Sequence, residues 1–256
     1  MSEIVGLLTP FLWVSAIAIT LTAGFVKGAV GFAMPMVMIS GLSSIMAPEL
    51  ALAILIFPTL VTNAVQALRS GLMSARAAVI AHWRYIVPVM VMVALSAQLV
   101  RVLPQTVFYL VLGIPITVFA AIQLFGVRLR LGTARRRLVE FCIGCFAGFI
   151  GGLSGVWGPP TVLYLTALDT PKAEQMQVQG IVYGLAAVIL TAAHAHSGIF
   201  TGETAGLSAL FIVPALLGAF VGFAVSDRLD QARFRRLTLL VLTVAGLNLV
   251  RRGVMG

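Results

Sequence analysis

Apolar residues fall in ten stretches, at about 9–26, 31–46, 49–68, 85–103, 105–125, 138–151, 153–168, 172–197, 205–226 and 237–250, with only short polar gaps between them. A helix that crosses a lipid bilayer takes about 20 residues. A chain of 256 residues patterned this way has room for membrane spans and little else. Composition agrees, since 60% of the residues are hydrophobic and 10% are charged, where a soluble domain carries about 25% charged residues. Water cannot be the only solvent for such a chain. That excludes a separate soluble domain, a built-in nucleotide-driven motor, a nucleic-acid scaffold and a disulfide-stapled secreted fold. The expected fold is all-α, polytopic and embedded in a bilayer.

The formal net charge of +9 comes from 17 Lys and Arg against 8 Asp and Glu. The basic residues gather between the apolar runs, which is the pattern of membrane topology rather than of a nucleic-acid surface. Cys142 and Cys145 have CxxC spacing inside an apolar run and read as two small apolar residues a turn apart. No cofactor and no metal site is expected. The opening stretch MSEIVGLLTP has no Lys or Arg, so the first run is expected to remain as a span rather than to be a cleaved signal.

Several runs are too short to cross alone. At 1.5 Å per residue, about 14 residues reach only about 21 Å of a hydrocarbon core near 30 Å thick. The short runs at 31–46, 138–151 and 153–168 lie beside Gly/Pro clusters, and interrupted helices at matching places in two halves point to a transporter site. The halves do match. Residues 23–35, AGFVKGAVGFAMP, align without a gap on residues 147–159, AGFIGGLSGVWGP, and Ser70-Gly71 and Ile86-Val87-Pro88 are answered by Ser197-Gly198 and Ile212-Val213-Pro214. Two repeats of about five segments each are therefore expected, residues 1–130 and 131–256, the first two segments of each short or broken. An odd number of segments makes the second copy inverted. With the arginines of 128–137 placed inside, the basic residues near 69–84, Lys172 and the cluster at 228–236 also fall inside, and both termini fall outside.

The Gly-rich stretches 24–31 and 148–155 are expected to be turns that let helix ends and a ligand approach closely. Helix N-termini there would offer free N–H groups and partial positive charge to an anion. Lys27 lies inside the first stretch, with Gly151 opposite it in the second copy, and a charge inside a membrane faces a cavity or a partner. Thr59, Thr62, Asn63 and Gln66 form a polar stripe on the third segment, and Gln175, Gln179 and Tyr183 form one on the eighth. Trp157 would wall the site. His194 and His196, at the end of the eighth segment, are candidates for proton coupling.

In these Gly-rich motifs, G-F-V-K-G-A-V-G-F-A-M-P and G-F-I-G-G-L-S-G-V-W-G-P-P, and in P-A-L-L-G-A-F-V-G at 214–222, the chain resembles the sulfite exporter TauE/SafE family of membrane transporters. The likeness extends over nearly the whole length. It implies proton-coupled secondary transport of a small anion, often sulfur-containing, such as sulfite or a sulfonate like sulfoacetate, across the bacterial inner membrane. Carried over by position, the substrate site would include Lys27, Gly28, Gly31, Gly152, Ser154 and Gly155, to which the polar stripes add Asn63 and Gln179, with Trp157 beside them. The partners expected are the small anion and the lipid bilayer, with room for a homodimer and none for nucleic acid. Two other classes fit parts of the sequence: a passive anion channel, and a rhomboid-like intramembrane protease using Ser154 of Gly152-Leu153-Ser154-Gly155 with His194 or His196.

Overall fold

The computed structural model of the chain describes residues 9–96, 105–126, 136–154, 157–196 and 201–255. Among them every regular element is a helix: α1 (Pro10–Val30), α2 (Met34–Leu42), α3 (Pro48–Leu68), α4 (Leu72–Ser96), α5 (Gln105–Leu124), α6 (Arg136–Ser154), α7 (Gly158–Ala167), α8 (Lys172–His196), α9 (Gly202–Leu210), α10 (Ile212–Arg228) and α11 (Gln231–Met255). Six stretches of helix among the described residues are long and apolar enough to cross a membrane: α1, most of α3, α4, most of α8, the α9–α10 pair and α11. Their outward faces carry Leu217 and Phe220 of α10, Val244 and Leu247 of α11, and Val87 and Val91 of α4, all half exposed or more. Such a belt fits lipid, and a helix satisfies its own backbone groups there without water. The protein is an all-α polytopic membrane protein.

Glycines set how the helices pair. Gly24 and Gly28 of α1 lie against the backbone of Ala215 and Ala219 of α10, and Gly218 and Gly222 of α10 lie against Leu21 and Phe25 of α1. Contacts rise together along both helices, so α1 and α10 run parallel. Gly144, Gly148 and Gly152 of α6 meet Tyr85, Val89 and Val93 of α4 in the same parallel fashion. Glycines four apart expose one flat helix face, and dispersion between close backbones then drives association in lipid. The remaining main pairs are α3 with α8 and α5 with α11.

This corrects one expectation. Residues 24–30 and 148–154 are helical, not turns, because their glycines are used face-on against a neighbouring helix. The first break is confined to Gly31-Phe32-Ala33. Gly31 takes φ 88° and its N–H closes onto the Lys27 carbonyl at 2.6 Å, which ends α1; Ala33 follows at φ 74°, before Pro35 in the first turn of α2. A left-handed alanine costs about 1–2 kcal/mol, and here it sits at the tip of a hairpin. The second hairpin turns between the end of α6 at Ser154 and the start of α7 at Gly158, with Trp157 as the residue before α7.

Neither second arm can cross a membrane. α2 has 9 residues and α7 has 10, about 15 Å of helix at most. Each folds back along its first arm. Gly41 of α2 lies against Ile19 of α1, and the Tyr164 hydroxyl of α7 donates to Glu140 of α6 at 3.3 Å. The short segments are therefore re-entrant. α4 and α11 also start earlier than the apolar runs at 85–103 and 237–250, since Arg76 and Arg233 continue the helices from their exposed ends.

Proline in α3 shows how the bundle repairs a missing donor. Pro58 cannot hydrogen-bond to Ile54, and the Ser208 hydroxyl of α9 donates to that carbonyl at 2.8 Å while accepting from the Phe57 N–H at 3.0 Å.

Candidate substrate site

The tips of the two hairpins meet in the interior. A Cβ on Gly158 would lie 3.6 Å from the Phe32 ring, so the second tip touches the first through a residue without a side chain. Around this junction is a narrow cleft with a free volume of about 20 Å³, lined from the first hairpin by Lys27, Phe32, Ala33, Pro35 and Met36, and from the second by Trp157, Gly158 and Pro159. Thr59 and Asn63 of α3 and Tyr183 of α8 close it.

Lys27 supplies the charge. It is buried to 2% exposure, one turn before the end of α1, and its ammonium donates to Asn63 Oδ1 and lies 5.8 Å from the centre of the Tyr183 ring. No carboxylate pairs with it among the described residues. A buried ammonium without a counter-charge costs several kcal/mol, which an incoming anion would offset. The Asn63 amide nitrogen and the Thr59 hydroxyl are buried without a hydrogen-bond partner among the described residues. Two further sources of donors face the cleft. α2 and α7 both begin there, and first-turn N–H groups have no acceptor inside their own helix. Prolines at 35, 159 and 160 remove some of these donors, leaving those of Met34, Met36 and Gly158.

Below the cleft two amides cover the end of α1. Gln66, one turn beyond Asn63, donates to the carbonyls of Gly31 at 3.1 Å and Met176 at 2.7 Å. Gln179, oriented so that its nitrogen faces acceptors, donates to Gly31 at 3.1 Å and Val30 at 3.2 Å. On the far side lies a wider cavity of about 290 Å³, lined by Gln66, Arg69, Lys172, Gln177, Phe223 and Asp227 among others. Arg69 pairs with Asp227 there, and the Lys172 ammonium donates to the carbonyls of Ser226 and Leu229.

Of the residues singled out from sequence, Lys27, Asn63 and Trp157 share the cleft, and Gly31 and Gln179 form its floor. Gly28 and Gly152 lie elsewhere: a Cβ on either would strike a neighbouring helix, Ala219 for Gly28 and Ser96 and Val93 for Gly152, so both serve packing. Gly155 and the side chains of Ser154, His194 and His196 fall outside the described residues. Phe32, Pro35, Met36, Pro159 and Tyr183 line the cleft without having been chosen as site residues. The aligned Gly/Pro frames contained three of them, Phe32, Pro35 and Pro159; Met36 follows the first frame directly, and Tyr183 lay on the polar stripe of α8.

A family model described as sulfite exporter TauE/SafE matches residues 16–249. The chain belongs to this family. No curated protein and no solved structure matches it. The match takes in both hairpins, every residue of the cleft and the cavity beneath it. TauE/SafE proteins form a membrane transporter family, so the chain is a multi-pass membrane transporter. That assignment implies that it is not an enzyme, and it favours an anion as cargo.

Proposed function

We propose that this TauE/SafE protein is a secondary carrier for a small oxyanion of the sulfite or sulfonate kind, working by alternating access in the bacterial inner membrane and coupled to protons. The observation that carries the reading is Lys27, a buried cation with no carboxylate partner among the described residues, placed where two hairpin tips meet. An oxyanion there would take the ammonium, the unpartnered Asn63 amide and Thr59 hydroxyl, and the first-turn N–H groups of α2 and α7. A cleft this narrow suits a few heavy atoms, and its apolar walls (Phe32, Met36, Trp157) suit the short carbon stem of a sulfonate.

The packing favours two inverted repeats, 1–130 and 131–256, with α1–α5 corresponding to α6–α11 and α9–α10 together matching α4. Under that correspondence the pairing of α1 with α10 is the counterpart of α6 with α4, while α3 with α8 and α5 with α11 each pair an element with its own equivalent. α1 runs toward the end of the bundle that carries Arg69 and Lys172, and α6 runs away from it. This is the relation a two-fold axis in the membrane plane produces, and it is the frame on which rocking carriers work.

The test is a thermal-shift series on purified protein with sulfite, sulfate, thiosulfate, short sulfonates and carboxylates. Stabilisation grows as RT ln(1 + [L]/Kd), so millimolar sulfite or sulfonate is expected to raise the melting temperature, and a flat response to every anion would overturn the reading. Carrier and channel separate by flux, since only a carrier accumulates anion against its gradient when a pH gradient is imposed. For orientation, both termini are placed in the periplasm. In a chain lacking Cys142 and Cys145, a cysteine replacing Arg136 is expected to be shielded from an impermeant thiol reagent in whole cells and one replacing Gly202 to be labelled; the opposite pattern reverses the topology.

A further inference from the structure

A second set of buried polar groups lies beside the second hairpin, outside the cleft. Glu140 of α6, His82 of α4 and Tyr164 of α7 are each 2% exposed or less, and ionisable side chains at such depth in a membrane bundle are expensive to keep. They form one chain. Glu174 of α8, 39% exposed at its side chain, reaches His82 Nε2 at 2.8 Å. His82 Nδ1 lies 3.3 Å from the Tyr164 hydroxyl, and that hydroxyl donates to Glu140 Oε1 at 3.3 Å. The chain thus runs from a partly solvated carboxylate to a buried one, crossing α8, α4, α7 and α6 in turn.

The same groups connect to the substrate cleft. Tyr85 stacks on Tyr164 with ring centres 4.2 Å apart. Its hydroxyl donates to Thr161 at 2.8 Å, and Thr161 donates to the Trp157 carbonyl at 2.9 Å. Trp157 is the residue that precedes α7 and walls the cleft. Among the described side chains, the charged groups of the surrounding elements at this end of the bundle include Arg76 and Arg84 of α4, Arg137 of α6, Asp169 after α7, Lys172 of α8, and Arg233, Arg235 and Arg236 of α11. Arg84 lies over Trp83, Arg235 holds Asp169 at 2.8 Å, and Arg76 and Arg137 are exposed.

We propose that Glu174, His82, Tyr164 and Glu140 form the proton-loading site of the carrier, with Glu174 as the entrance and Glu140 as the buried store. The inference rests on the transport reading above and deepens it by naming where the coupling proton goes. One proton arriving on Glu174 passes to His82 Nε2. The imidazole gives its Nδ1 proton to the Tyr164 oxygen, and Tyr164 passes its own hydroxyl proton to Glu140. The net change is one proton taken up and Glu140 neutralised, with the imidazole left neutral as its other tautomer. Neutralising Glu140 removes the charged acceptor of Tyr164, the residue that fixes α7 against α6. The position of α7, and with it the Trp157 wall, thereby responds to the proton.

The experiment uses full-length protein in liposomes with radiolabelled sulfite, in two modes: sulfite–sulfite exchange without a gradient, and accumulation driven by an imposed pH gradient. Wild type is expected to do both. E140Q is expected to keep exchange while driven accumulation falls to the level of protein-free vesicles and loses its dependence on pH. H82N, which breaks the chain earlier, is expected to match it, and guards against a folding defect peculiar to E140Q. If both variants accumulate sulfite as wild type does, the proton site is overturned and the carrier stands. If exchange and accumulation fall together in folded protein, the cluster belongs to binding or architecture and the proposal fails. Wild type that exchanges no sulfite, sulfate or sulfonate would instead remove the transport reading itself.

Discussion

Lys27→Met is expected to weaken anion transport severely and at the same time to raise the melting temperature of the ligand-free protein. The ammonium is 2% exposed and has the Asn63 side-chain oxygen as its hydrogen-bond acceptor. Burial of an ion with so little compensation costs several kcal/mol, and a methionine of similar length fills the space without that cost. What is lost is the charge that meets the cargo. A charge-assisted hydrogen bond is worth about 1.5–3 kcal/mol, so apparent affinity should fall by about 10- to 150-fold even where flux remains measurable. Flux assays on liposomes and melting curves in detergent measure the two effects separately. A variant that melts lower than wild type and transports as well as it does would remove Lys27 from the site.

Gly28→Ala is expected to destabilise the fold strongly, although it adds a single methyl group. That carbon would overlap the Ala219 carbonyl oxygen and sit 2.9 Å from the Gly222 Cα. Both obstacles are backbone, so no rotamer change makes room and α1 must move off α10. Overpacking of a tight core costs about 1–3 kcal/mol, with more when side chains cannot yield, against a total stability of only about 5–15 kcal/mol. Gly184→Ala is the control, because its new carbon would meet Asn63 Cβ at an ordinary 3.5 Å. Size-exclusion profiles of tagged variants should show a monodisperse peak for Gly184→Ala and a diminished one, with a lower melting temperature, for Gly28→Ala. Equal profiles would mean that the α1–α10 crossing is looser than described.

The contrast between these two glycines shows what a sequence can and cannot express. Long apolar runs and sparse charge sufficed for an all-α membrane fold, since continuous apolar runs near 20 residues fit helices, whereas a closed barrel needs short alternating strands. The clusters at 24–35 and 147–160 also marked where the short helices begin. They did not separate their own members, because glycine serves a left-handed turn at Gly31 and a flat packing face at Gly24 and Gly28 equally well. Only the neighbouring helix, nearly 200 residues further on, distinguishes the two uses. Lys27 stood out as a charge in an apolar run, and its partner Asn63 as part of a stripe, yet their pairing is tertiary and had no local signature. Phe32, Met36 and Pro159 were hidden for the opposite reason: cleft walls and core are written in the same apolar letters. The relay through His82, Tyr164 and Glu140 draws one residue from each of three helices, so no single segment carried its pattern.

The floor beneath Lys27 has a consequence for speed. It includes two side-chain amides on three backbone carbonyls, four contacts in all from Gln66 and Gln179, beside the apolar side chain of Met176. Exchanging four such contacts for water costs about 0.5–1.5 kcal/mol each, or roughly 2–6 kcal/mol together. On the carrier reading proposed above, a penalty of that size would keep a passage to the lower cavity shut most of the time while leaving the open arrangement thermally reachable. Leakage and turnover would then be set by the same pair of glutamines, and shortening either one would trade tightness for throughput.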